Sequence, residues 1–224
     1  MKRIVLPSLL VAVLAWQAVS CSGLGMGQGA SAPPGGSSAP ATQSDLPFTF
    51  FFTHYVFSGS DPMNPTAVRY ESTGHPFAHS PNGDRITMSG SGAWDPAADE
   101  AMGGGDYVIA NPNGSVEAKG TWTVRSFVSF LQLPDWWGIK GLVEEGWQGP
   151  PGSPSFAGFL KVRVLLDDGR SGLLSAWCIM TATPHYGGHI SDGISLLGEG
   201  LNFTDSTQNE MGVEGVMFYG PGNG

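Results

Sequence analysis

From Leu46 onward the apolar residues fall in short runs, rich in aromatic and β-branched side chains and separated by turn residues. That pattern predicts strands rather than helices. Phe48 to Phe57 opens the series and Ala67 to Ser72 follows. Arg85 to Trp94 alternates, with Ile86, Met88, Gly90, Gly92 and Trp94 on one face and Thr87, Ser89 and Ser91 on the other. Glycines inside a strand point to bending or close backbone approach. Asp106 to Asn111 and Ser115 to Val124 flank Asn111-Pro112-Asn113-Gly114, a hairpin signal. Leu160 to Leu166 and Leu173 to Ala182 flank Asp167-Asp168-Gly169-Arg170, the clearest hairpin in the chain. Ile194 to Phe203 and Gly215 to Tyr219 complete it. Ser126 to Leu133 reads either as one or two helical turns or as another strand. The expected fold is therefore all-β: an antiparallel barrel or sandwich of roughly eight to ten strands, with a barrel preferred because glycine-bearing strands suit curvature.

The ends of this pattern set the domain organisation. Met1, Lys2 and Arg3 open the chain, an apolar run from Ile4 to Ala18 follows, and Ala18-Val19-Ser20-Cys21 closes it. A basic start, a short apolar core and small residues before a cut site define a secretory signal over residues 1–20. Pro7 and Gln17 interrupt a run already short for a membrane span. Residues 21–45, built of Gly, Ser, Ala, Pro and Gln, cannot bury enough apolar surface to offset chain entropy and read as a tether. Residues 46–224 form a single β domain.

Ala18-Val19-Ser20-Cys21 resembles the lipobox of bacterial lipoproteins. The resemblance implies a diacylglycerol thioether on Cys21, cleavage before it and acylation of the new amino end, giving several acyl chains and stable anchoring. Ser22 follows Cys21, which in a Gram-negative host implies the outer membrane. The expected location is the cell envelope, lipid-anchored. Within the domain, Phe77-Ala78-His79-Ser80-Pro81-Asn82-Gly83-Asp84, Ser89-Gly90-Ser91-Gly92-Ala93-Trp94-Asp95, Gly103-Gly104-Gly105-Asp106-Tyr107 and Lys119-Gly120-Thr121-Trp122 resemble a pattern in small secreted bacterial and fungal proteins. That resemblance implies no catalytic residues.

Charge narrows the partners. The chain carries 10 Lys and Arg against 19 Asp and Glu; loss of Lys2 and Arg3 with the signal leaves a net charge of −11. Without a basic stripe in the sequence, nucleic acid is not an expected partner. Anionic lipid headgroups repel an acidic domain, so membrane association is assigned to the anchor.

Candidate chemistry is sparse. His75 and His79, and His185 and His189, form two H-x-x-x-H pairs, and imidazoles in pairs can complete a transition-metal site. Pro76 and Gly187-Gly188 exclude regular helix at both, so loop histidines and no tight metal site are expected, and no cofactor is called for. Asp95, Asp99 and Glu100 offer oxygen ligands for Ca²⁺ without the EF-hand pattern. Cys178, the second cysteine, sits in an apolar run and reads as a buried thiol, with no base beside it in sequence. The H-E-x-x-H, G-x-S-x-G and P-loop signatures are absent. Asp135 to Pro154 holds Trp136, Trp137 and Trp147 among glycines and prolines. A loop of this kind either plugs a barrel mouth or forms a recognition patch, so these three tryptophans are candidate ligand-binding residues. Three function classes follow: a non-enzymatic binding or structural module taking a small apolar ligand or an envelope partner, a small-molecule carrier barrel, and an enzyme of cyclase or isomerase type using a barrel pocket. The residues favour the first.

Overall fold

The computed structural model describes residues 45–58, 67–71, 74–133, 143–145, 153, 155–180, 190–204 and 214–221, all within the unit spanning 40–224. The domain is all-β. Fourteen strands are described: β1 (Phe48–Ser58), β2 (Ala67–Glu71), β3 (Phe77–His79), β4 (Arg85–Met88), β5 (Ser91–Asp95), β6 (Glu100–Ala110), β7 (Val116–Gln132), β8 (Val143–Glu145), β9 (Ser155–Phe156), β10 (Gly158–Leu166), β11 (Ser171–Met180), β12 (Ile190–Gly198), β13 (Leu201–Phe203) and β14 (Glu214–Tyr219). The count exceeds the expected eight to ten because two long runs are each split in two and because β3, β8 and β9 are short additions.

One sheet takes in every strand, in the order β13-β12-β11-β10-β7-β6-β5-β1-β14-β9. Its pairings are antiparallel except β2 with β8, which is parallel. One edge of β1 is shared, by β5 at Phe48–Phe51 and by β2 at His54–Ser58. One edge of β6 is shared in the same way by β5 and β4. The ladder does not close among the described residues, but the sheet curls until β12 packs on β14 and on β3. A backbone hydrogen bond from Thr204 N to His79 O (3.0 Å) ties those two regions.

Both predicted hairpins are present. Asn111 N donates to Ser115 O and Gly114 N to Asn111 O; Leu166 N donates to Arg170 O and Gly169 N to Leu166 O. The second turn is also docked. Asp167 Oδ2 accepts from Thr121 N at 2.9 Å, and the Tyr107 hydroxyl donates to Asp168 Oδ2 at 3.1 Å. Arg170 reaches Asp168 through two nitrogens, and those hydrogen bonds hold the Asp168 carboxyl down at about 2.

The predicted run Arg85 to Trp94 breaks at Ser89-Gly90, where Gly90 takes φ +134°. Ile86, Met88 and Trp94 still share the buried face, each fully covered. Here the backbones of β4, β5 and β6 crowd together. A Cβ on Gly90 would sit 2.2 Å from the Gly104 carbonyl oxygen, and one on Gly105 would sit 1.8 Å from that of Ser89. No side chain fits at either position.

The segment Ser126 to Leu133, which the sequence left between helix and strand, is strand: all of it but Leu133 belongs to β7. Against β10 this strand carries two irregularities, opposite Lys161/Val162 and Arg163/Val164. Each leaves one β7 residue unpaired, Val128 and Arg125, as in a β-bulge. From Val124 onward the core-facing residues of β7 are consequently Val124, Phe127 and Phe130, three apart instead of two.

Apolar burial fills the inside of the curl. Trp94 lies within 4.9–6.3 Å, ring centre to ring centre, of Phe48, Phe50, Phe130 and Phe218. Phe52 packs on Trp122, whose Nε1 donates to Ser89 O at 3.0 Å. Aromatic contacts of this kind add stability beyond their buried area.

The glycine corner gives a direct test. Gly105→Ala should cost at least about 4 kcal/mol, the range of severe core disruption, or prevent folding. Gly114→Ala, in a turn with φ +83° and nothing near the added methyl, should cost only about 1–2 kcal/mol of left-handed backbone strain. Denaturant melts of both variants check this; equal losses would contradict it.

Candidate functional site

Two places in the described structure carry chemistry: one buried where the sheet curls back on itself, one open on its outer face.

The buried place joins β1, β11, β12 and β14. Strand pairing sets Cys178 of β11 directly opposite Asp192 of β12. Both are almost fully covered, at 1 % and 4 % exposure. From β1, the Tyr55 hydroxyl donates to Asp192 Oδ2 at 2.6 Å, with the Val216 carbonyl of β14 at 3.0 Å sharing that proton. Gly215 makes this approach possible: a Cβ there would meet the Tyr55 ring at 2.2 Å and Asp192 Oδ2 at 2.6 Å. Tyr70 packs edge-on against Tyr55, 5.7 Å between ring centres. At the rim of the seam, His54 Nδ1 lies 2.9 Å from Glu214 Oε1.

The electrostatics of the seam oppose nucleophilic chemistry. Burial pushes the Cys178 thiol well above its ordinary value, and the neighbouring Asp192 charge pushes it further. The same two causes, burial first, raise the Tyr55 phenol. Both groups therefore stay protonated as donors facing a carboxylate. A reactive cysteine needs an electropositive, partly exposed setting; Cys178 has the reverse. The carboxylate beside it was invisible in sequence, where the two residues lie on different strands. Cys178 is structural, as its apolar run predicts.

The outer place is a shallow groove of about 370 Å³ across β7, β10, β11 and β12. A cross-strand row runs Ser126, Arg163, Leu173, Leu197. Arg125 follows the core-facing Val124 and turns outward by alternation; the bulge leaves it unpaired in the ladder next to the Ser126–Arg163 pair. Leu165, Ser171 and Glu199 border the opposite side. Among the described residues neither Arg125 nor Arg163 has an ion pair or a side-chain hydrogen bond. Leu197 is 43 % exposed. The groove thus combines two uncommitted guanidinium groups with an apolar wall, the mix of a few polar groups and apolar lining found in ligand sites. Nothing in the linear sequence marks it, since its residues come from four strands.

Of the residues singled out in sequence, Cys21, Trp136, Trp137, Trp147, His185 and His189 lie outside the described residues. His75 is exposed, and its backbone N–H donates to Glu214 Oε2. His79 ends β3 half-buried, edge-on to Phe77, with its Nδ1 covered and without a hydrogen bond. Asp95, Asp99 and Glu100 lie in the β5–β6 turn, where Asp95 Oδ1 accepts from Ala97 N at 2.8 Å and Asp99 takes φ 59°. Among the described residues no three His, Cys, Asp or Glu side chains converge as a metal site would require. No protein-family model, no curated protein and no solved structure matches the chain.

The seam predicts its own pH response. Raised folded-state values mean that the unfolded chain loses the Cys178 and Tyr55 protons first, from about their ordinary values of 9.0 and 10.0. Stability from this source is complete below pH 9 and lost as pH rises beyond it. Thermal melts from pH 7 to 11 should show a steep alkaline fall that Cys178→Ala and Tyr55→Phe together flatten. In the Cys21→Ser chain at pH 8, Cys178 should resist a thiol reagent until denaturant is added; rapid labelling of the folded chain would contradict the assignment.

Proposed function

We propose that this protein is an exported lipoprotein, anchored to a membrane of the cell envelope through acyl groups on Cys21, whose β domain is a non-enzymatic binding module. The filled interior carries the second half of this reading. Phe48, Trp94, Phe130, Phe156 and Phe218 occupy the space a carrier barrel would leave for its cargo, in mutual ring contact. Among the described residues the titratable groups buried in the seam are hydrogen-bonded to one another, which engages the protons that acid–base catalysis would move. What remains available to a partner is the outer face, where the groove of β7 and β10–β12 lies.

The first half rests on the residues before Cys21. Among the described residues no helix is long and apolar enough to cross a membrane, and attachment is assigned to the lipid. A tether of residues 21–45 would let the acidic domain stand clear of anionic headgroups, presenting its outer face to the aqueous side of the envelope.

The experiment is Cys21→Ser expressed in a bacterial host alongside the parent. The parent should partition into detergent and incorporate labelled palmitate. The variant should do neither, and should accumulate as unprocessed precursor or as soluble exported protein. Equal detergent partition of the two, with cleavage at the same place, would remove the anchor from the account.

A further inference from the structure

We propose that the groove bounded by Arg125, Arg163, Leu173, Leu197 and Glu199 binds a small amphiphile: an anionic head, carboxylate or phosphate, on a short apolar body. This deepens the binding-module reading and rests on it.

Three observations carry the inference. The first is the pair of arginines. In a chain whose acidic residues outnumber its basic ones nearly two to one, a guanidinium ordinarily finds a carboxylate. Arg69 is paired with Glu71, Arg170 with Asp168, and Arg85 lies over the Phe77 ring. Arg125 and Arg163 are not paired with any described residue, although Glu199 borders the same groove. Glu199 follows β12, two strands across from Arg163. At about 4.8 Å per strand, the backbone separation is near 10 Å, too wide for a close pair without reaching side chains. Two like charges held near each other without a counter-ion repel, and an anion shared between them relieves the repulsion. Guanidinium forks match carboxylate and phosphate oxygens in geometry.

The second observation is how Arg125 comes to be there. Val124 faces the core, so Arg125 faces outward by alternation along β7. The register shift between Arg163 and Val164 leaves it unpaired, with Ser126 opposite Arg163 and Val124 opposite Val164. Bulges re-aim side chains, and they are over-represented beside functional sites. This one sets Ser126 across from Arg163, and both arginines line one groove from adjacent strands.

The third is the wall. Leu173 and Leu197 are register partners on β11 and β12, both outward-facing, and Leu165 borders them from β10. An inorganic anion would use the arginines alone. The leucines add an apolar surface next to them, which a ligand covers only if it carries an apolar part. A volume of about 370 Å³ suits a body of six or so carbons. Glu199 at the far side disfavours a second negative charge, which restricts the ligand to one anionic end.

The test uses the full chain and four soluble probes: hexyl phosphate, hexanoate, inorganic phosphate and hexanol, titrated by calorimetry at low salt. Hexyl phosphate and hexanoate should bind, with inorganic phosphate at least tenfold weaker and hexanol weaker still. Arg163→Gln and Arg125→Gln should each weaken hexyl phosphate tenfold or more, and Glu199→Gln should tighten it a few-fold. All three side chains are at the surface, and unchanged thermal melts would show that the variants remain folded. Equal affinity for inorganic and hexyl phosphate would overturn the amphiphile assignment in favour of a plain anion site. Binding by hexyl phosphate that survives the double arginine variant would place the ligand elsewhere and overturn the site. Binding by hexanol equal to hexanoate would overturn the anionic head while leaving a binding module standing. Silence from all four probes would overturn the inference; loss of membrane attachment by the Cys21 variant is a separate readout and would be unaffected.

Discussion

The whole arrangement turns on a steric constraint: where β4 and β5 run along β6, the backbones approach too closely for a Cβ. Gly90 and Gly105 lie against carbonyl oxygens of the facing strand, and Gly103 meets the Ser91 carbonyl oxygen in the same way. Crowding of this order bends the sheet sharply. Phe50 contacts Trp94 across the β1–β5 ladder, Phe52 contacts Trp122, and the rings fill the interior. The bend also sets the direction of the curl that returns β12 to β14 and β3. The polar seam of Tyr55, Asp192 and Cys178 exists only because that return is made.

The seam and the groove lie on opposite faces of the same strands. Inside, a carboxylate holds two protonated donors in a dry environment. Such a network is costly if half satisfied and specifies one packing when complete. Outside, the same strands β11 and β12 present leucines and border two arginines that have no ion pair among the described residues. Alternation along a strand accounts for both, since successive side chains point to opposite faces. Leu174, Ala176 and Cys178 go to the core while Leu173 goes to the groove.

Much of the fold was legible in the chain. The two hairpins were, because Asn111-Pro112-Asn113-Gly114 and Asp167-Asp168-Gly169-Arg170 carry turn chemistry at fixed offsets. The burial of Ile86, Met88 and Trp94 was, because period-two alternation survives the break at Gly90. Residues 126–133 were ambiguous for a physical reason. Two bulges space the inward residues Val124, Phe127 and Phe130 by three, which counterfeits a helical period. The candidate sites were hidden for a different reason. Tyr55, Cys178 and Asp192 are separated by more than a hundred residues at the widest, and Arg125 and Arg163 lie on different strands that only pairing brings together. Contacts made by strand pairing leave no local motif. The histidine pairs and the Asp95 cluster, by contrast, were conspicuous in sequence, yet the described members serve turns and packing.

The central claim is that this domain takes its ligand on the outside of a filled β structure. The most direct measurement is a chemical-shift map of the isotope-labelled chain titrated with hexyl phosphate. The account predicts saturable shifts confined to Arg125, Arg163, Leu165, Ser171, Leu173 and Leu197. Shifts centred instead on the inward residues Phe50, Trp94, Phe130 and Phe218 would mean that the interior opens to admit a ligand, and would contradict it.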